Sequence, residues 1–97
     1  MRTVVIRGKA YQSILEVHLF LEKELSFPYY YGRNLDALHD VLTERTAADE
    51  ELCFIVLFSK NMDEELTRKL ERMLVVLRDC ADENPGLQVI AADEREA

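Results

Sequence analysis

The chain is poor in residues that break or staple a fold. It has only three glycines and two prolines among 97 residues, which excludes a low-complexity or disordered chain and points to a compact globular one. Its two cysteines, Cys53 and Cys80, fall in a strand-like and a helix-like run and form no CxxC. They argue for a reducing compartment rather than a disulfide scaffold. His18 and His39 are far apart in sequence, so there is no structural zinc pattern. No apolar run approaches the ~18 residues of a membrane span, and the chain opens on MRTVVI instead of a signal peptide. The expected location is the cytoplasm. A GxGxxG turn and a GxxxxGK phosphate loop are both missing, which excludes a nucleotide-binding unit of either type. Positive charge is scarce too: 12 Lys and Arg stand against 19 Asp and Glu, for a net charge of −7. That balance argues against nucleic acid as a direct ligand. It favours a basic partner, or simple solubility.

What is present suffices for one domain spanning 1–97. Hydrophobic residues make up 48% of the chain and charged residues 32%, and a chain this long buries roughly 60–70% of its unfolded surface. Thr3 to Ile6 is a β-branched run, ended at Gly8, that fits a buried strand. Ser13 and Glu16 form a capping box opening a helix from about Ile14 to Leu25, with Ile14, Val17, Leu21 and Leu25 inward. His18 beside that stripe reads as a partly buried structural histidine. Pro28 stops the helix and holds Phe27 extended. Leu52 to Phe58 is a continuous apolar run of the kind expected for a strand covered on both sides. Asn61 is the expected cap of a third helix, with Leu66, Leu70, Met73 and Leu77 inward and Asn84, Pro85 and Gly86 at its end. Leu87 to Ala91 is a last strand, followed by a charged tail, DEREA. Strands alternating with helices imply parallel pairing. The expected class is α/β, a small three-stranded parallel sheet packed against helices.

Phe27 to Arg45, FPYYYGRNLDALHDVLTER, is the least generic stretch. Tyr29, Tyr30 and Tyr31 cannot all face a core, so at least one ring should be exposed as contact material. Gly32 implies a backbone conformation or a close approach that a Cβ would forbid. Asn34 can cap the following helix, whose apolar face is Leu35, Leu38 and Leu42. Asp36, Asp40 and Glu44 are spaced four apart and line one stripe without Lys or Arg on that face, at a cost of a few tenths of a kcal/mol per like-charged pair. Asp36 lies in the first turn, where the helix dipole favours it. Asp40 has no such excuse. Thr43, near the same face, could add a hydrogen-bonding group.

The run YYGRNLDALHDVLT resembles the signature of the barstar family, intracellular protein inhibitors of secreted ribonucleases. The likeness extends through EKELSFP at the end of the first helix and, by element order, over nearly the whole chain. It implies a three-stranded parallel sheet packed against helices. It also implies that the second helix and the loop before it block a ribonuclease active site. By that likeness Asp40 matches the acid that occupies a substrate-phosphate position and Asp36 the second acid of the same face. Tyr30, Gly32 and Asn34 match interface positions in the loop, Thr43 matches a threonine there, and Asp79 falls where an accessory acidic contact is found. The implied order of importance is Asp40, then Asp36, then Glu44. Three positions depart from the pattern: His39 stands where the best-known member has a tryptophan, Arg33 where it has an acid, and Arg45 near a position that can be an interface tryptophan. The two arginines are expected to soften the helix's field. His39 reads either as a surface residue or as a pH-dependent contact.

The implied partner is a basic microbial ribonuclease, of the barnase-like or guanyl-specific class, secreted or carried on a toxin and met by an immunity protein that is a monomer when free. No cofactor, metal, nucleic acid or membrane enters. An enzyme using Asp36 and Asp40 as acid and base lacks a concave site and a nucleophile. A metal held by Asp36, Asp40 and Glu44 is disfavoured because one helix face wraps an ion poorly. An interaction module with the same fold and a different partner stays open, since fold does not fix function.

Overall fold

A computed structural model describes residues 1–47 and 49–94, so of the DEREA tail only Asp93 and Glu94 fall within the described residues. The elements are β1 (Arg2–Arg7), a single 3-10 turn (Gly8–Ala10), α1 (Ile14–Glu24), α2 (Leu35–Ala47), β2 (Leu52–Phe58), α3 (Glu64–Glu83) and β3 (Leu87–Asp93). The strands form one parallel sheet in the order β1-β2-β3. Val4 pairs with Phe54, and Phe54 with Val89.

The local signals explain most boundaries. Ser13 caps α1, its Oγ accepting from the Glu16 amide at 3.3 Å, while Glu16 Oε1 accepts from the Gln12 amide at 2.9 Å. This is a capping box shifted one residue outward. α1 ends one residue before Leu25, and its stop is made by Ser26 rather than by Pro28 alone. Ser26 adopts φ 54°, and the Phe27 amide donates to the Glu22 carbonyl at 2.9 Å. That is a Schellman ending with serine where glycine is usual. α3 is capped by Asp63, whose carboxylate accepts from the Leu66 amide at 3.2 Å. Asn61, the expected cap, instead sits in the preceding turn with its amide donating to Ser59 Oγ at 3.2 Å. An acid beside the free amides of a first turn gains from the dipole as well as from the hydrogen bond, so Asp63 displaces Asn61. β3 runs two residues beyond Ala91. Glu94 follows it, its amide donating to the Phe58 carbonyl and its carboxylate meeting Arg7 at 3.2 Å and Lys9 at 2.8 Å.

One face of the sheet carries the core. Val4, Ile6, Leu52, Phe54, Val56 and Leu87 are buried on it against Val17 and Leu21 of α1, Leu38 and Leu42 of α2, and Leu70, Met73 and Leu77 of α3. The other face is not covered in the same way. Val5, Ile55 and Ile90 lie in one row across the three strands, and Val5 and Ile90 are exposed. β2 was expected to be enclosed on both sides. Its apolar run instead reflects a central position, where neighbouring strands shield Cys53 and partly shield Ile55 and Leu57 even without a helix above them. Both cysteines are buried and free.

The fold positions the tyrosine loop through one buried contact. Tyr31 Oη lies 2.7 Å from His18 Nδ1, and the Tyr31 ring meets Phe27 edge-on at a centroid distance of 4.8 Å. Burial pushes the Tyr31 hydroxyl far above the usual tyrosine range and lowers the His18 pKa below its ordinary 6.5, so both partners are neutral near pH 7. His18 is thus the buried structural histidine its position implied. Tyr31→Phe keeps the ring and strands the imidazole nitrogen, and should cost about 1–2 kcal/mol in urea unfolding. The stability that comes from keeping His18 neutral is complete above its ordinary pKa of 6.5 and is lost as pH falls from there toward its lowered folded value. The thermal midpoint should therefore drop through this window, and His18→Asn, which keeps a hydrogen-bonding atom but does not titrate, should flatten that drop.

Candidate functional site

α2 begins with its cap in place. Asn34 Oδ1 accepts from the Ala37 amide at 2.8 Å and its Nδ2 donates to the Gly32 carbonyl at 3.3 Å, so one side chain closes the helix and folds the loop. This explains Gly32. Its backbone is ordinary, but a Cβ there would lie 3.0 Å from Asn34 Nδ2 and 3.5 Å from Ala37 Cβ. Close approach is the reason for the glycine, and the left-handed conformation falls on the next residue, Arg33, at φ 52°.

The three tyrosines divide. Tyr31 is anchored in the core, while Tyr29 is 94% and Tyr30 71% exposed. The two exposed rings meet edge-on with centroids 5.5 Å apart. With Leu38 and Leu42 turned inward, α2 presents Asp36, Asp40 and Glu44 outward, all exposed. Among the described residues Asp40 has one neighbour of opposite potential charge, the His39 ring at 3.8 Å. His39 also reaches α3, its Nε2 lying 3.4 Å from Glu83 Oε1, and so spans two carboxylates on two helices. Asp79 is exposed on α3.

The two arginines do not soften this field as expected. Arg33 forms a fork on Glu22, with Nε at 2.9 Å and Nη2 at 3.2 Å from its two oxygens. Arg45 forks onto Glu50 at 2.7 and 2.9 Å and also donates to the Leu25 carbonyl. The Arg45 guanidinium holds the Glu50 carboxyl below the usual carboxylate range. A bidentate guanidinium is committed to its partner, so each cation is neutralised where it stands.

A hollow of about 220 Å³ lies between the loop and α2, lined by Pro28, Tyr30, Tyr31, Gly32, Ala37, Asp40, Val41 and Glu44. Tyr30, Gly32 and Asp40 are brought together there. Asp36, Asn34, His39, Thr43 and Asp79 are not among its walls. Thr43 differs from expectation in another way: its Oγ1 is buried without a hydrogen-bond partner. A larger concavity of about 740 Å³ sits by the ends of β2 and β3, walled in part by Phe58, Lys60, Glu71 and Glu94. It shares no residue with α2 or the tyrosine loop. Among the described residues no group of three His, Cys, Asp or Glu side chains could hold a metal ion. The sequence marks Tyr29 only as one of the tyrosine run, and Glu83 leaves no local trace, because its contact with His39 crosses 44 positions.

These features define a small α/β protein with an acidic surface helix beside an aromatic loop. The chain belongs to the Barstar family: the family model described as "Barstar (barnase inhibitor)" matches residues 1–95. A Bacillus subtilis protein named "Putative ribonuclease inhibitor YrdF" is 51% identical to it over 43 residues, which are 44% of this chain. The match spans 47% of that protein's length.

The buried hydroxyl of Thr43 yields a test of packing. Thr43→Val keeps the β-branch and replaces an unsatisfied hydroxyl with a methyl, which should stabilise the fold by about 1 kcal/mol. Differential scanning calorimetry reads this as a raised melting temperature; a fall would mean that the hydroxyl is bonded in solution.

Proposed function

We propose that this protein inhibits a ribonuclease by occupying its active site with α2 and the tyrosine loop. One observation carries the reading: among the described residues the carboxylates of α2 face solvent without a Lys or Arg partner, while Arg33 and Arg45, which flank the helix, are held by Glu22 and Glu50. An unneutralised acidic helix suits an enzyme cleft whose positive charge stabilises a phosphodiester, because carboxylates replace phosphate oxygens with charge-assisted hydrogen bonds. Asp40 is the leading phosphate mimic, with Tyr30 and Gly32 beside it, and Asp36, Asn34, His39 and Asp79 belong to the wider contact surface, whereas the buried hydroxyl of Thr43 does not reach it. Membership of the Barstar family and the likeness to a protein named as a ribonuclease inhibitor support the class of partner. Inhibition is occlusion, and α2 performs no chemistry. The protein acts in the cytoplasm on a basic microbial ribonuclease, secreted or delivered by a toxin.

Titration into a panel of microbial extracellular ribonucleases, guanyl-specific enzymes included, with RNA cleavage as readout, tests the proposal. Inhibition of at least one enzyme is expected, and its absence throughout would favour an interaction module with another basic partner. Asp40→Ala should raise the inhibition constant roughly 100-fold or more, since two hydrogen bonds to a charged group are worth about 3–6 kcal/mol. An unchanged constant would sink phosphate mimicry. Association should also slow as salt rises from about 0.01 to 0.15 M, because screening shortens the reach of exposed charges from about 30 to 8 Å.

A further inference from the structure

The Asp40–Glu44 hollow has a chemistry that points to one kind of guest. Its walls from Pro28, Ala37 and Val41 are apolar, Tyr30 offers a largely exposed ring, and two exposed acids on successive turns of α2, Asp40 and Glu44, complete the lining. Side chains four apart on a helix have Cβ atoms about 5–6 Å from each other, so both carboxylates can reach one guest. Like charges at this spacing repel weakly, and a cation between them relieves that cost. Among the described residues the flanking guanidiniums are committed elsewhere, Arg33 to Glu22 and Arg45 to Glu50, and the His39 ring, 3.8 Å from Asp40, is not among the walls of the hollow. Asp36 is as exposed as Glu44 but lies outside the hollow, one turn toward the N-terminus, where the helix dipole already favours its charge.

We propose that Glu44, rather than Asp36, is the second carboxylate of the binding site, and that Asp40 and Glu44 together admit one arginine side chain of the partner into this hollow. The inference rests on the inhibitor reading for the partner's identity and reverses the order of Asp36 and Glu44 that family likeness implies. Arginine suits the site better than lysine. Its planar guanidinium presents donors along opposite edges, one for each carboxylate, and its face stacks on an aromatic ring such as Tyr30, whereas an ammonium is a compact, strongly hydrated point charge.

The test uses the whole protein, labelled with ¹⁵N, and N-acetyl-argininamide as probe, with N-acetyl-lysinamide for comparison. The arginine probe should move the amide signals of Gly32, Val41 and Glu44 saturably, and the lysine probe should bind more weakly. Glu44→Gln, which keeps side-chain size at an exposed helical position, should weaken arginine binding about tenfold, and Asp36→Asn less than about threefold. The same pair of variants should show the same order in inhibition constants. Shifts spread evenly over the acidic surface, or an Asp36→Asn effect equal to that of Glu44→Gln, would overturn the assignment. The two readings fail separately. Arginine filling the hollow while no ribonuclease is inhibited removes the enzyme partner and keeps the hollow. Inhibition lost in Asp40→Asn but untouched in Glu44→Gln removes Glu44 and keeps the inhibitor.

Discussion

The buried pair of Tyr31 and His18 is the contact on which the geometry of the surface turns. A phenol and an imidazole taken out of water cost free energy unless each finds a partner, and at 2.7 Å each is the other's. Once Tyr31 is committed inward, the chain reversal at Ser26 and the proline after it leave Tyr29 and Tyr30 outside. The loop then reaches α2 at a fixed angle, because Gly32 and Asn34 close the remaining gap. The histidine that holds the loop comes from α1, so the loop is fastened to the body of the domain and is not an appendage of α2.

The second constraint is electrostatic. A chain with a net charge of −7 has few cations to distribute, and this fold uses several of them as local fasteners. Arg33 ties the loop to α1 through Glu22, Arg45 ties the end of α2 to Glu50 and the α1 terminus, and Arg7 and Lys9 meet Glu94. Among the described residues, the acids left without Lys or Arg include the outward stripe of α2. Such a surface is tolerated because exposed like charges cost only tenths of a kcal/mol, and its field is free to act on a partner. His39 is the local exception. It stands between Asp40 on its own helix and Glu83 on α3.

The sheet shows how far a hydrophobic pattern can be read. The run LCFIVLF was legible as a strand, and its pairing with β1 and β3 followed from the alternation of elements. That a helix layer covered both faces did not follow, because a central strand flanked by two others is shielded in its own plane whether or not a helix lies above it. The row Val5, Ile55 and Ile90 records the difference. Helix caps divide in the same way. Ser13 and Asn34 were legible because each stands immediately before an apolar period, whereas the cap expected at Asn61 fell to Asp63 because the chain leaves the β2 turn two residues later.

The amino-acid sequence by itself determined the three strands and three helices, the apolar faces that join them, the acidic stripe on α2 and the family signature, because these rest on residue type and on spacings of a few positions. Only the tertiary structure decided which tyrosine went inside, that Arg33 and Arg45 were drawn off by Glu22 and Glu50, that His39 met Glu83, and that Glu44 rather than Asp36 lined the hollow beside Tyr30. Each of those depends on side chains from different elements meeting in space. A one-dimensional pattern carries the propensity of each side chain but not the partner that reaches it first.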